Sequence, residues 1–167
     1  MDGRRPLEYE RLDQVMPEVD QLLRGHATSG TWTLGQILDH LASSIRLTLE
    51  SDPGSAIEPI DPEKARVFEV RRRRFFHAGR FPDGANAPHP SLNPPPDAEE
   101  RTSAEALRSL LRRFEDFEGT FPHHPMLGPL SKDEWAAFHR LHCAHHLGFA
   151  RPTSADPDQS GPEFAKT

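Results

Sequence analysis

Three times along this chain a hydroxyl residue is followed three positions later by Gln or Glu, and an apolar stripe of helical period comes next. The pairs are Thr33 with Gln36, Thr102 with Glu105, and Ser131 with Glu134. In such a capping box each side chain accepts a hydrogen bond from the other residue's backbone N–H, so the sequence itself specifies where a helix starts. After Thr33 come Leu34, Leu38, Leu41, Ile45 and Leu49, with Pro53-Gly54 closing the run beyond Ser51. After Thr102 come Leu107, Leu110, Leu111, Phe114 and Phe117, with Gly119 as the stop. The helix after Ser131 is expected to reach about Arg151. An earlier series, Leu12, Val15, Met16, Val19, Leu22 and Leu23, has the same spacing. Pro17 fits only its first turns, so this helix is expected to begin near Asp13 and stop at Gly25.

Residues 52–101 form a long connection. Asp61-Pro62-Glu63 opens a short helix through Phe76, with Pro at the favoured first position. Phe81-Pro82-Asp83-Gly84 and a Pro-rich stretch to Pro96 follow. Connections of this length serve as lids, binding loops or disordered segments. Phe75, Phe76 and Phe81 are expected to anchor this one to the helices. No segment carries a strand pattern with hairpin signals. The chain therefore reads as all-α, a four-helix bundle with one long crossover between its second and third helices. Residues 1–151 form the domain, and residues 152–167 a polar, disordered tail.

A chain of 167 residues can bury a real core, although 17 prolines keep much of it outside regular elements. The net charge of −6 argues against a nucleic-acid partner. Arg71 to Arg74 are a local exception. They read as a solvated helix face or as a clamp for a substrate carboxylate or phosphate. Cys143 is the single cysteine, so no internal disulfide forms. No stretch resembles a signal peptide and none is long and apolar enough for a membrane span, so the expected location is cytoplasmic, without a membrane partner.

Histidines supply the chemistry. His142 and His146 are one helical turn apart, about 40° around the axis. A helix presents two imidazoles to one metal ion in this way. Trp135, Phe138 and Phe149 fall on the same side, so the pair faces inward, where an imidazole needs a partner. A catalytic zinc takes three protein ligands and keeps one position open. The third ligand must come from another helix, and His40, in Leu38-Asp39-His40-Leu41 beside the apolar stripe, is the best candidate. His139 is read as a polar flank, with a rim or proton-shuttle role as the alternative. His145 is read as a surface or interface residue, and Cys143 as a small packed one. His77 and His89 are expected to be exposed in the connection. Trp32 and Trp135 are read as end packing, with a pocket wall as the alternative. Asp39, Glu115 and Asp116 are candidates to orient the imidazoles.

These residues carry a resemblance. The chain resembles the DinB/YfiT-like superfamily of four-helix-bundle metalloproteins, in Trp32-Thr33-Leu34-Gly35-Gln36-Ile37-Leu38-Asp39-His40-Leu41 and in the His-x-x-x-His of His142 to His146. The segment from His124-Pro125-Met126-Leu127-Gly128 to Trp135 is similar to a branch known only as a domain of unknown function. The resemblance spans roughly residues 10–151. It implies a divalent transition metal on His40, His142 and His146, with Zn favoured and Ni or Fe as alternatives. It also implies thiol-transferase or hydrolase chemistry, in which the ion activates a water or thiol toward a small-molecule substrate. A low-molecular-weight thiol is one candidate partner. The other reading is a non-catalytic module in which the metal cross-links helices and the chain forms a homodimer. There a fourth protein ligand, His139, Glu115 or Glu118, would close the site.

Overall fold

The computed structural model describes residues 3–56, 59–83 and 89–153. Among them are five α-helices and a small two-stranded sheet, joined by loops and three short 3-10 turns: α1 (Val15–Leu22), β1 (His26–Thr28), α2 (Leu34–Glu50), α3 (Pro62–Ala78), α4 (Glu100–Asp116), α5 (Lys132–Leu147) and β2 (Ala150–Pro152). The chain is thus mostly helical, as the periodicity predicts, but it is not purely so.

Two capping boxes form as expected. The Gln36 amide donates to Thr33 Oγ1 at 3.2 Å while the Thr33 amide donates to Gln36 Oε1 at 3.0 Å. The Glu134 amide donates to Ser131 Oγ at 3.2 Å, and the Ser131 amide to Glu134 Oε2 at 2.9 Å. The third box does not form. Glu99 caps α4 instead, its carboxylate accepting from the amides of Arg101 and Thr102 and from the Thr102 hydroxyl. A carboxylate at the helix start also meets the positive end of the helix dipole, so the helix opens three residues before Ser103.

The helix inside the long connection is not short. α3 has 17 residues, the same as α2 and α4. Asp61 caps its start and Gly79, at φ +61, ends it in the left-handed region that glycine enters without strain. Only Phe68 of α3 is buried. Arg72 donates to the Pro129 carbonyl at 2.9 Å, and Phe75 packs against Phe138, which pins α3 to the turn and helix that follow.

The core sits between α2 and α4, the most extensive helix pair, with α1 and α5 packed on it. Leu22, Leu34, Ile37, Leu38, Leu41, Ile45, Leu107 and Leu147 are almost wholly excluded from solvent. Gly35 marks the closest approach: a Cβ there would run into the Ala98 carbonyl just before α4. Each of these leucines and isoleucines contributes on the order of 2 kcal/mol through apolar area removed from water.

α5 ends at Leu147, four residues before the expected stop, because the chain reverses into β2. β2 pairs antiparallel with β1, His26 opposite Pro152 and Thr28 opposite Ala150. The Arg5 amide donates to the Gly148 carbonyl at 2.9 Å, so the N-terminal segment closes over the same end. The ladder is three residues long, too short for alternation to betray it in the sequence. The expected boundary at residue 151 falls inside β2, and the expected disordered tail from residue 154 onward lies outside the described residues. No helix among the described residues is long and apolar enough to cross a membrane.

Candidate metal centre

α2 and α5 bring His40, His142 and His146 together. One ring nitrogen from each lies within 4.8 Å of the other two. The ring centroids form a near-equilateral triangle, with sides of 4.9, 4.5 and 4.8 Å. His40 and His142 are buried, and His146 is half-buried.

His40 has a fixed tautomer. Its Nδ1 lies 2.6 Å from the carbonyl oxygen of Leu92, which can only accept. Nδ1 must therefore carry the proton, and Nε2 presents a lone pair. That Nε2 stands 3.0 Å from His142 Nε2. Two nitrogens on one tetrahedral zinc, with Zn–N near 2.05 Å, would lie roughly 3.3 Å apart, so a shift of a few tenths of an ångström suffices. His142 Nδ1 is buried and has no hydrogen-bond partner among the described residues. A proton on Nε2, shared with His40, would leave Nδ1 a bare buried acceptor. A proton on Nδ1 turns two Nε2 lone pairs toward one point, and a cation at that point relieves their repulsion. The donor set fits a borderline transition metal.

Burial keeps these imidazoles neutral, which is the ligand form. It lowers His40 below the ordinary value of 6.5, with the Leu92 carbonyl and Asp39 acting in the opposite sense. It holds His142 well below that value, helped by its neighbours His146 and His40. Burial and then His40 push His146 down to about 2.

Aromatic rings wall the triad. Trp32 stacks on His146, centroids 5.5 Å apart and planes at 21°, and also meets His40 at 5.0 Å. Phe81 stacks on His142 at 4.6 Å and 26°. Trp32 is therefore part of the site rather than end packing alone, whereas Trp135 packs on Phe138 and His139 away from the triad. The long connection contributes twice, through the Phe81 ring and the Leu92 carbonyl. Spacing could not have found either, since a chain reversal and not a helical period delivers them.

The family model described as "Protein of unknown function (DUF1569)" matches residues 1–153. The chain belongs to the DUF1569 family. No curated protein and no solved structure matches it. The match ends one residue beyond β2, so within this DUF1569 chain the small sheet and the helices belong to one family unit.

Several neighbouring residues differ from expectation. His139 is no polar flank. It is 1% exposed, its Nε2 lies 3.1 Å from Thr48 Oγ1, and it stacks on Trp135. The buried arc of α5 is wide enough to carry it into the core beside the triad. His145 is half-buried rather than on the surface. Its Nδ1 is 2.7 Å from Arg4 Nη1, and its ring meets Phe81 and His146. Because a guanidinium only donates, Nδ1 of His145 accepts. Cys143 is buried and packed, and burial pushes its thiol up to about 12. Glu115 and Asp116 are exposed, and Glu118 faces Lys132 at 3.5 Å, so none of them orients or joins the triad. His77 and His89 are exposed, as expected, although His77 lies in the last turn of α3 rather than in a loop. Of the arginine run, Arg71, Arg73 and Arg74 are exposed, and Arg72 is tied to Pro129 and Glu134.

Proposed function

We propose that the protein is a divalent-metal-dependent enzyme on a DinB-like four-helix core, with His40, His142 and His146 as the metal ligands. The single observation that carries this reading is the number of ligands. Among the described residues the cluster comprises three imidazoles and no carboxylate or thiolate. Structural zinc sites take four protein ligands, and catalytic ones take three and keep a position for water or substrate. A bound divalent ion would supply Lewis acidity and lower the pKa of a water or thiol, so transfer to a thiol and hydrolysis are the reaction types. Zinc suits the imidazole set best, with nickel or iron next.

The chain's own residues do the remaining work. The Leu92 carbonyl holds His40 in one tautomer and orientation, as partners of metal-ligating histidines do. Trp32 and Phe81 stack on the rings of His146 and His142 and replace water on those ring faces, which lowers the local dielectric and strengthens electrostatic interactions there. The substrate is read as a small molecule.

The direct His40–His142 contact favours a second reading, in which the triad is a structural cross-link without catalysis. Cobalt(II) substitution separates the two. In the enzyme reading, adding 2-mercaptoethanol to the cobalt protein changes the intensity and position of its visible bands, because a coordination position is free to exchange. A cobalt spectrum unmoved by the thiol and by azide would mean a closed site and would favour the cross-link.

A further inference from the structure

A cavity of about 480 Å³ lies beside the triad. Phe81 and His145 line it, and the same two rings contact the metal-site histidines: Phe81 stacks on His142 at 4.6 Å, and His145 meets His146 edge-on at 4.8 Å. The cavity and the triad thus share one wall. The volume falls in the range of small-molecule pockets.

Four guanidinium side chains line this cavity: Arg4, Arg5, Arg80 and Arg140. In a chain of net charge −6 that is a local concentration of cations. Two are already committed. Arg4 pairs with Asp83 at 2.6 Å, and Arg5 pairs with Glu18. Arg80 and Arg140 have no carboxylate partner among the described residues; Arg140 donates one Nη1–H to the backbone carbonyl of Glu10. Glu8 and Glu10 also line the cavity; like Arg80 they are exposed, so solvent and salt screen all three, and Arg140 is the less exposed of the two uncommitted cations.

Two buried polar atoms beside the cavity lack a protein partner among the described residues. Arg140 Nε and the Tyr9 hydroxyl are both shielded from solvent without a hydrogen-bond partner among the described residues, and both side chains line this cavity. Both are donors. A buried donor left unpaired is costly, so native sites supply an acceptor. A planar guanidinium is suited to one kind of acceptor above others, the oxyanion of a carboxylate or phosphate.

We propose that this cavity binds the anionic group of the substrate, a carboxylate or phosphate held by the guanidinium groups of Arg140 and Arg80. The inference rests on the metal-enzyme reading for its meaning as a substrate subsite. It extends that reading by assigning the substrate class: a small acid whose reacting end reaches past Phe81 toward the triad. The arginines that recognise it are not the run Arg71 to Arg74. They are Arg80, directly after the Gly79 cap of α3, and Arg140, in the middle of α5.

The test is an NMR titration of the full chain with succinate and, separately, with inorganic phosphate, at constant ionic strength with chloride as the balancing anion. It is run on the wild type, Arg80→Ala, Arg140→Lys and His142→Ala, with the metal content of each measured in parallel. Arg80 is exposed, so its replacement leaves the fold intact. Arg140→Lys keeps the charge and removes the fork. The expected result is saturable binding in the wild type, weakened about tenfold in Arg80→Ala and Arg140→Lys, and retained in His142→Ala. Tighter binding of succinate or of phosphate assigns the group. Binding lost in His142→Ala but unchanged in the arginine variants would place the anion on the metal and overturn the inference. Shifts no larger than those from chloride would also overturn it. A wild type that takes up no metal even on reconstitution with zinc, nickel or iron, yet still binds succinate through Arg80 and Arg140, would refute the metal reading alone.

Discussion

Individual side chains set how this protein responds to acid. His139 and His124 are both held neutral by burial, His139 at about 3 and His124 at about 4, against an ordinary value of 6.5. The lone pair of His124 Nδ1 accepts from the amides of Met126 and Leu127, at 3.1 and 3.2 Å, so a proton there would break the turn before α5. The sign follows from linkage. Above pH 6.5 both residues are neutral folded and unfolded, and neither affects stability. Below it the unfolded chain takes up protons that the folded chain refuses until about pH 4 and then about 3, so stability falls through that window. Chemical denaturation between pH 7.5 and 4 should show a steady loss that His124→Gln reduces. Equal stability at pH 7 and pH 4.5 would contradict the assignment of these two imidazoles as buried and neutral. Little of this was legible beforehand: helical spacing located His139 about 60° from His142, but not how much of α5 is covered.

Elements were legible where their signals are local. Thr33 and Ser131 announce α2 and α5 because a capping box lies within four residues of sequence. Thr102 misleads because Glu99, three residues earlier, accepts from the amides of Arg101 and Thr102 with a full charge and so starts the helix sooner. α3 was visible in its Asp61-Pro62 start, but its length was not. Its apolar stripe is thin, with Phe68 as the only buried residue, so nothing in the periodicity carries it past Phe76 to Gly79. The α2–α4 interface makes a sharper prediction. Gly35 faces the Ala98 carbonyl so closely that a methyl group has no room, and the obstacle is backbone rather than a movable side chain. Gly35→Ala, which would favour a helix on propensity alone, should instead destabilise the protein by about 1–3 kcal/mol. Thermal unfolding tests the sign, and a rise in Tm would mean that α4 is free to move away.

At the scale of the whole molecule, the long connection does more than join helices. It sends a ring and a carbonyl into the triad, and its α3 docks on the turn that leads into α5. The two His-bearing helices were readable from spacing. The pieces that hold them were not, because residues 81 and 92 reach the site only once the chain has folded back. The small sheet was equally hidden, its two strands lying more than a hundred residues apart in the sequence. The central claim is that three imidazoles from two helices hold one metal ion. Elemental analysis of the purified, untagged chain tests it most directly, beside His40→Ala, His142→Ala and His146→Ala, each checked for helical content by circular dichroism. The account predicts about one equivalent of a transition metal in the wild type and its loss in all three variants while they remain folded. A wild type that holds no metal even after reconstitution with zinc, nickel or iron, or a folded His142→Ala that keeps its full equivalent, would contradict it.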